Sequence, residues 1–318
     1  MTFMKITSND IINELRNAGI HPRVEINNYT KFSRFGVINP HDAVTYAREY
    51  TFFTKPDLHL FKEGNPSVLN LQLSNIPFFK EMHERFNPIL QQLQISTKGN
   101  PSPFINILTN RSNGGLDLPS LDTLEMETGA NAYGELIKYR WMALDSTHEF
   151  SMEFLDSKYL EIYLLAKTWE EYSRRKVTGE VSPPSDRYII NKILHDQVCV
   201  YKFIVGEDGE TILYYAKLYG VYIKNVPRDI FSNFNYKEGY IPISLSFNAD
   251  FVEDMDPSIL VDFNYLTSSY ASSNANIPLY NKSINMVDGR FVNMPYIQYV
   301  PKSESSISKY SYYKLKWR

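Results

Sequence analysis

The chain has 318 residues, enough to bury a substantial core and to hold about two domains. With 33 Lys and Arg against 36 Asp and Glu, it has no basic field of the kind polyanion binding needs, and its single cysteine, Cys199, excludes an internal disulfide and fits a reducing compartment. No run of about 18 apolar residues occurs and the first residues carry no apolar segment, so neither a spanning helix nor a signal peptide is expected.

Residues 8–18 read as a short amphipathic helix with Ile11, Ile12, Leu15 and Ala18 on one face and Gly19 at its C-terminal cap. An extended polar stretch follows over 21–40, then a helix after Pro40 and a strand at 50–54 closed by Lys55-Pro56-Asp57. Residues 76–94 have a helical pattern with a break at Pro88. Stretches rich in Asn, Ser, Pro and Gly at 96–103 and 110–115 come next, and the second marks a boundary. The expected organisation is an N-terminal extension of helices and short strands over 1–115, a β domain over 116–266 and an extended C-terminal arm over 267–318.

From 121 onward β patterns dominate: 121–127, 135–144, 147–154, 197–205, 211–226 and 240–251, with Asp208-Gly209 supplying a hairpin turn. The clearest unit is a strand-turn-helix. Phe150, Met152 and Phe154 alternate with Glu149, Ser151 and Glu153, and the chain then turns at Leu155-Asp156-Ser157 into a helix. On that helix Ile162, Leu165, Ala166, Trp169 and Tyr172 share one face. Asp156 and Ser157 are good N-caps, and Arg174, Arg175 and Lys176 stand where the negative helix end favours cations. Phe150, Met152, Phe154, Ile162, Leu165, Trp169 and Tyr172 form the expected core. A Pro-containing loop at 181–184 and a short helical segment at 189–194 precede the later strands. The fold class is mainly β with flanking helices (α+β), an antiparallel sandwich or barrel with one crossover helix.

Strand 197–205 is apolar on both sides, with Cys199, Tyr201, Phe203 and Val205 opposite Val198, Val200 and Ile204. Such a strand is covered on both faces. Only one crossover helix is available, so part of the cover is expected from neighbouring subunits, with Val198, Val200 and Ile204 at the interface. An aromatic share of 14% fits both a β-rich core and protein contact surface. The arm ends on Tyr312, Tyr313, Lys316, Trp317 and Arg318 and is expected to order against a partner subunit, with Tyr312, Tyr313 and Trp317 in contact.

Chemistry-bearing patterns are sparse. Of the six histidines, His21, His41, His59, His83, His148 and His195, no two stand at metal-ligand spacing. The helix at His83-Glu84 lacks the second histidine of a zinc protease, so a solvated position explains His83. Cys199 sits inside a strand pattern, as a buried thiol does and a nucleophile at a helix N-terminus does not. The run 253–256 lacks the glycine and spaced ligands of a calcium loop and reads as a strand end before a helix opened by Pro257. Glu125 and Glu127 have the alternation of solvent-facing carboxylates. No phosphate loop or nucleophile elbow occurs. No catalytic, cofactor-binding or metal-ligating residue is assigned, and neither enzyme activity nor a cofactor is expected.

One resemblance concerns the order of segments. The acidic-hydrophobic strand 121–127, the long strand 135–144, the strand 149–154 running through Leu155-Asp156 into a helix that carries Trp169 and Tyr172, a hairpin and the strand 241–247 together resemble the tube-forming fold of contractile phage tails and related injection machines. Residues 218–227 are similar to the penultimate strand of its baseplate members. The resemblance spans about half the chain, roughly 116–254, and rests on no invariant signature. Simple tube subunits are shorter, so the added N-terminal region and C-terminal arm fit a baseplate or tube-initiating member. The resemblance implies a hexameric ring seated on a baseplate hub, seeding tube polymerisation, contacting tube proteins and, as further candidates, sheath or wedge proteins, and letting DNA pass with no lasting contact. It further implies a virion location after assembly in the host cytoplasm, and no membrane partner. A carbohydrate- or receptor-binding β-sandwich is the alternative. From its place on the apolar helix face, Trp169→Ala should destabilise by about 3–5 kcal/mol in chemical denaturation; an unchanged transition would put Trp169 on the surface.

Overall fold

The computed structural model describes residues 47–62, 65, 67–94, 102–118, 123–128, 137–144, 148–182, 195–228, 241–268, 286–287, 290–291, 294–301 and 312–317. The helices expected at 8–18 and after Pro40, and the segment 189–194, lie outside these residues. The chain divides into two units, Met1–Ala47 and Arg48–Arg318, and the described residues fall almost wholly in the second.

That unit is mainly antiparallel β with flanking helices. Its strands are β1 (Arg48–Phe53), β2 (Thr123–Thr128), β3 (Ile137–Leu144), β4 (His148–Asp156), β5 (Val198–Val205), β6 (Ile212–Asn225), β7 (Ile241–Ala249), β8 (Phe251–Asp254), β9 (Met286–Val287), β10 (Arg290–Phe291), β11 (Pro295–Val300) and β12 (Tyr312–Trp317). The helices are α1 (Leu71–Ser74), α2 (Pro77–Leu90), α3 (Asn106–Asn110), α4 (Glu161–Thr178) and α5 (Pro257–Ser268). The main sheet has the order β1-β5-β6-β7-β4, with β8 also on β6. Three two-stranded ribbons, β2–β3, β9–β10 and β11–β12, stand apart from it. The register of β2–β3 sets Glu125 opposite Arg140 and Glu127 opposite Lys138. β1 belongs to the main sheet, so residues from 48 onward fold together with the β domain.

The sheet has a corner where β7 passes into β8. The first half of β6 pairs with β5 and β8, the second half with β7. Asp250 N–H donates to Tyr219 O at the bend, and Gly220 opposite it has φ +63°. A Cβ at Gly220 would run into the Asp250 carboxylate, so glycine is required there by both space and φ.

The sheet also curls. Phe53 of β1 and Phe154 of β4 come from opposite ends of the strand order, yet their rings are 6.1 Å apart, and Phe53 lies 5.6 Å from Phe247 of β7. The first core fills this concave side, with Val198, Val200, Leu218, Leu245 and Phe247 under Ile162, Leu165, Ala166, Trp169 and Tyr172 of α4 and Phe79 and Met82 of α2. Phe150, Met152 and Phe154 join it, so the alternation read in β4 and the helical face read in α4 meet in one cluster. α2 carries a break: Phe86, two residues before Pro88, has φ −131°, because the proline ring excludes a regular helix on its N-terminal side.

α4 starts without a cap on its own first residues. Leu160 at the N-cap position has φ 55° and no side-chain acceptor. The buried Asp156 carboxylate, at the end of β4, accepts from the N–H groups of Ile162 and Tyr163, both at 3.0 Å, and from Ser157 at 2.8 Å. Strand end and helix start are thus joined by one side chain. The helix ends at Gly179, whose φ is 78°.

A second core lies on the other face of β1, β5 and the first half of β6. Phe52, Tyr201, Phe203, Val205 and Tyr215 pack there against Ile259, Leu260 and Phe263 of α5 and against Ile297 and Leu315 of the β11–β12 ribbon. Phe263 has Phe203 at 5.0 Å, Tyr201 at 5.2 Å and Phe52 at 5.3 Å. The ribbon is pinned on both edges. Asn264 of α5 donates to Ile297 O at 2.8 Å and accepts from Ile297 N–H at 2.7 Å, as a neighbouring strand would. On the far side Leu315 N–H donates to Glu210 O at 2.8 Å and Lys314 bridges Thr211.

This arrangement changes two readings made from sequence. The double-sided cover of β5 comes from the chain itself, from α2 and α4 on one face and from α5 and the ribbon on the other. The β11–β12 ribbon of the C-terminal arm docks on its own subunit, because Leu315 and Ile297 complete a core that β1 and β5 leave open. Leu315→Ala should therefore destabilise the isolated monomer by about 2–5 kcal/mol. Equilibrium unfolding under dilute conditions reads this directly, and a wild-type midpoint would contradict the docking.

Candidate assembly surface

The two halves of the sheet have different outer faces. The half made by β1, β5 and the start of β6 is covered on both sides. The half made by β4, β7 and the end of β6 is covered by described residues on one side only. There Glu149, Ser151 and Glu153 of β4 and Pro242 and Ser244 of β7 are exposed, with Ser246, Asn248, Tyr222 and Lys224 half-buried or exposed beside them. This face is small and polar, and its charges are two carboxylates and one ammonium. Lys224 pairs with Glu149 across β6 and β4, and Asn248 donates to the Tyr222 hydroxyl at 3.1 Å. Burial strictly alternates along β4, so the pleat alone gives it one dry and one wet side.

β4 is also the end of the sheet. Asn113 N–H donates to Glu153 O at 2.8 Å and Leu155 N–H donates to Arg111 O at 2.9 Å. Backbone polar groups of odd-numbered β4 residues therefore point away from β7. Those of Glu149 and Ser151 meet no other described strand, so among the described residues the wet face ends on an unpaired edge.

The predicted positions fall into two groups. Phe150, Met152, Phe154, Ile162, Leu165, Trp169 and Tyr172 are all buried in the first core, with Trp169 at 0% exposure. Val198 and Val200 are buried in that same core, at 3% and 0%, so α4 and its neighbours occupy the surface proposed for another subunit. Ile204 is half-buried, as are Tyr312 and Tyr313. Trp317 is 38% exposed, yet its ring lies 6.1 Å from both Tyr50 and Phe52.

A polar cluster unmarked by any sequence motif lies at the end of α4. Trp169 Nε1 donates to Asp196 O at 2.7 Å, Lys176 pairs with the Asp196 carboxylate, and the Tyr172 hydroxyl is hydrogen-bonded to His195 Nε2 at 2.8 Å. His195 Nδ1 is buried with no hydrogen-bond partner among the described residues. Burial pushes His195 down to about 4; Asp196 opposes this, and Lys176 and His59 reinforce it. Burial first, then Asp196 and Asp57, pushes the Tyr172 hydroxyl well above its usual range. The cluster ties α4 to the entry of β5. The spacing of Trp169, Tyr172 and Lys176 on one helix face was its only trace in sequence.

Cys199 is half-buried in β5, and burial raises its thiol above the usual range. His83 is half-buried on α2 with its ring 6.0 Å from Phe61. Among the described residues no group of three or more His, Cys, Asp or Glu could hold a metal ion. No described helix is long and apolar enough to cross a membrane.

No protein-family model matches the chain, and no curated protein matches it. Some solved structures do. A match to a chain of the anti-feeding prophage cap, its tube terminating cap, covers 45% of this chain and 78% of that one, with 8% identity and a TM-score of 0.28. The sheath/tube terminator structure of the PVC extracellular contractile injection system matches over 45% of this chain and 82% of that one, at 11% identity and TM-score 0.25. The six-fold symmetrised anti-feeding prophage baseplate matches over 46% and 78%, at 11% and 0.23. These proteins are parts of contractile injection particles; at such TM-scores the likeness carries no argument about this chain.

His195 gives a pH dependence with a definite sign. A histidine held near 4 in the fold and at its ordinary 6.5 when unfolded takes up protons preferentially in the unfolded chain. Its contribution to stability is complete above pH 6.5 and is lost as pH falls toward 4. The stability difference between wild type and His195→Gln should therefore narrow or reverse across that interval in thermal scans. A difference independent of pH would contradict the burial of His195.

Proposed function

We propose that the chain is a structural, non-enzymatic subunit of a contractile tail or injection particle, a ring-forming baseplate or tube-initiating protein. In this reading copies join side by side, seed the tube on a hub and place their β4–β7 faces around a channel through which DNA passes. The observation that carries it is the division of the sheet. One half is finished on both faces by its own chain. The other offers a wet face of polar side chains whose outer strand edge is, among the described residues, partly unpaired. Side chains without a net positive stripe let a polyanion pass without holding it. Exposed edges are a liability that closure into a ring removes, since one repeated head-to-tail contact satisfies every edge. The segment order of 116–254 supports the family, and the extra length on either side of it supports a baseplate or initiating member. Virion partners are then copies of itself, hub and tube proteins.

Ser151→Pro tests the edge. The Ser151 N–H faces away from β7, so proline removes a donor that no described strand of the monomer uses. The variant should unfold within a few degrees of wild type but lose the ring-sized species seen by mass photometry and negative-stain imaging. Rings that persist in the variant, or a wild type that stays monomeric at every concentration and with hub protein added, would overturn the reading.

A further inference from the structure

One cleft and one protrusion, in layers on opposite faces of the sheet, have complementary chemistry. The cleft lies where the break of α2 meets the turn before α4. Its volume is about 500 Å³ and its lining is Arg85, Phe86, Pro88, Ile89, Tyr159 and Glu161. That is within the ordinary size of binding pockets, roughly 300–1,000 Å³. Phe86, Pro88 and Ile89 supply an apolar floor. The helix break makes the opening, because the non-helical Phe86 and the following proline interrupt the surface of α2. Tyr159 stands 62% exposed at the rim with Lys158 Nζ 4.9 Å above its ring. Glu161 is neutralised by Arg111 at 2.6 Å. Arg85 pairs with the exposed Glu81 at 2.8 Å, a surface pair of little strength, and lies 5.4 Å over Phe86. The rim is therefore cationic or neutral around an apolar floor.

The protrusion is the turn between β8 and α5. Met255 is 50% exposed and holds φ +54°, an unfavourable value for a side chain of its size. Its backbone is fixed from behind: Met255 N–H donates to Tyr215 O, and the Tyr215 hydroxyl donates to Met255 O, both at 3.0 Å. Around it stand Glu253, Asp254 and Asp256. Glu253 and Asp254 accept hydrogen bonds from the Tyr219 and Tyr214 hydroxyls, at 2.8 and 3.1 Å, and Asp256 accepts from Ser258 N–H at 2.7 Å. None of these three carboxylates pairs with a cation among the described residues. The result is an apolar thioether on a strained, rigid tip, ringed by uncompensated negative charge.

We propose that the Met255 turn of one copy seats in the Phe86–Tyr159 cleft of the next, and that this is the side-chain part of the ring's head-to-tail contact, in addition to the β4 edge. The proposal rests on the ring-forming reading above and names its contact. The two surfaces belong to different layers of one molecule, so the contact is heterologous and repeats around an axis. Methionine suits such a socket because its flexible, polarizable side chain adapts to irregular apolar walls and packs on rings such as Phe86 and Tyr159. Exposed carboxylates facing Lys158 and Arg85 set the orientation and raise the encounter rate.

Sedimentation velocity on the full chain tests this with three variants. Met255→Gly relieves the positive φ, so the monomer should be as stable as wild type or more so, while self-association weakens at least tenfold. Arg85→Glu with Lys158→Glu should weaken association similarly, and more so at low salt. Combining that pair with Glu253→Lys and Asp254→Lys should restore association to within a few-fold of wild type. Wild-type association in Met255→Gly, or no recovery in the charge-swapped variant while each half is impaired, overturns the contact and leaves the ring reading standing. A wild type that never associates sinks both.

Discussion

The fold depends on how residues 102–118 close the gap between the two ends of the curled sheet. This segment first runs beside β1, where Ile105 N–H donates to Phe53 O at 2.8 Å and Lys55 N–H to Pro103 O at 2.9 Å. It turns through α3 and then caps β4 through Arg111 and Asn113. Finally Leu116 returns to the β1–β5 side, where Glu49 accepts from its N–H at 2.6 Å and Lys202 donates to its carbonyl. Without this wedge, Phe53, Phe154 and Phe247 would face water through an open seam. Each such ring brings roughly 1.5–3 kcal/mol by burial. The burial that the wedge protects is therefore comparable to the energy of its own hydrogen bonds, at about 1 kcal/mol each, and the two add.

The clamp on Leu116 is the most demanding part of that wedge. Lys202 lies 3.1 Å from Glu49, and its side chain is 9% exposed. A buried ammonium is tolerated only with its charge paired and its donors used. Here Glu49 and the Leu116 carbonyl do both. Removing one partner strands the other in the core, so the clamp matters more for the position it imposes than for net energy. Thr51 donates to Glu49 at 3.2 Å and holds that carboxylate in place.

Local periodicity carried much of this fold and none of the closure. The alternation of Phe150, Met152 and Phe154 and the helical spacing of Ile162, Leu165, Trp169 and Tyr172 were legible because each repeats within one element. Strand boundaries at 148–156, 198–205 and 241–249 follow the same logic. The wedge was not legible: 96–103 and 110–115 have the Asn, Ser, Pro and Gly content of a linker, and only long-range partners turn part of that region into a packed segment. Val198 and Val200 failed as interface residues for a related reason. Apolar side chains on both faces of a strand demand cover, but the pattern does not say whose. The chain supplied it from α4, about 30 residues earlier in sequence, and from Ile297 and Leu315, about 100 residues later. The polar cluster at His195 depended on a tertiary meeting between α4 and the entry to β5, and the spacing of Trp169, Tyr172 and Lys176 within α4 encodes only its helical side.

This division of labour bears on assembly. A subunit that finishes both faces of half its sheet can fold alone, and the β11–β12 ribbon makes that possible by covering Phe52 and Phe203. The other half can then keep a polar face and an unpaired end without endangering the monomer, because its dry side is already sealed by α4. Assembly therefore need not complete the core. It has only to satisfy an edge and match a few side chains, which is the regime of contacts that form reversibly and stop when a ring closes. The same logic explains why the exposed end of β4 is short and polar. An apolar open edge of that length would pair with any strand offered, whereas Glu149, Ser151 and Glu153 leave backbone geometry and neighbouring contacts to choose the partner.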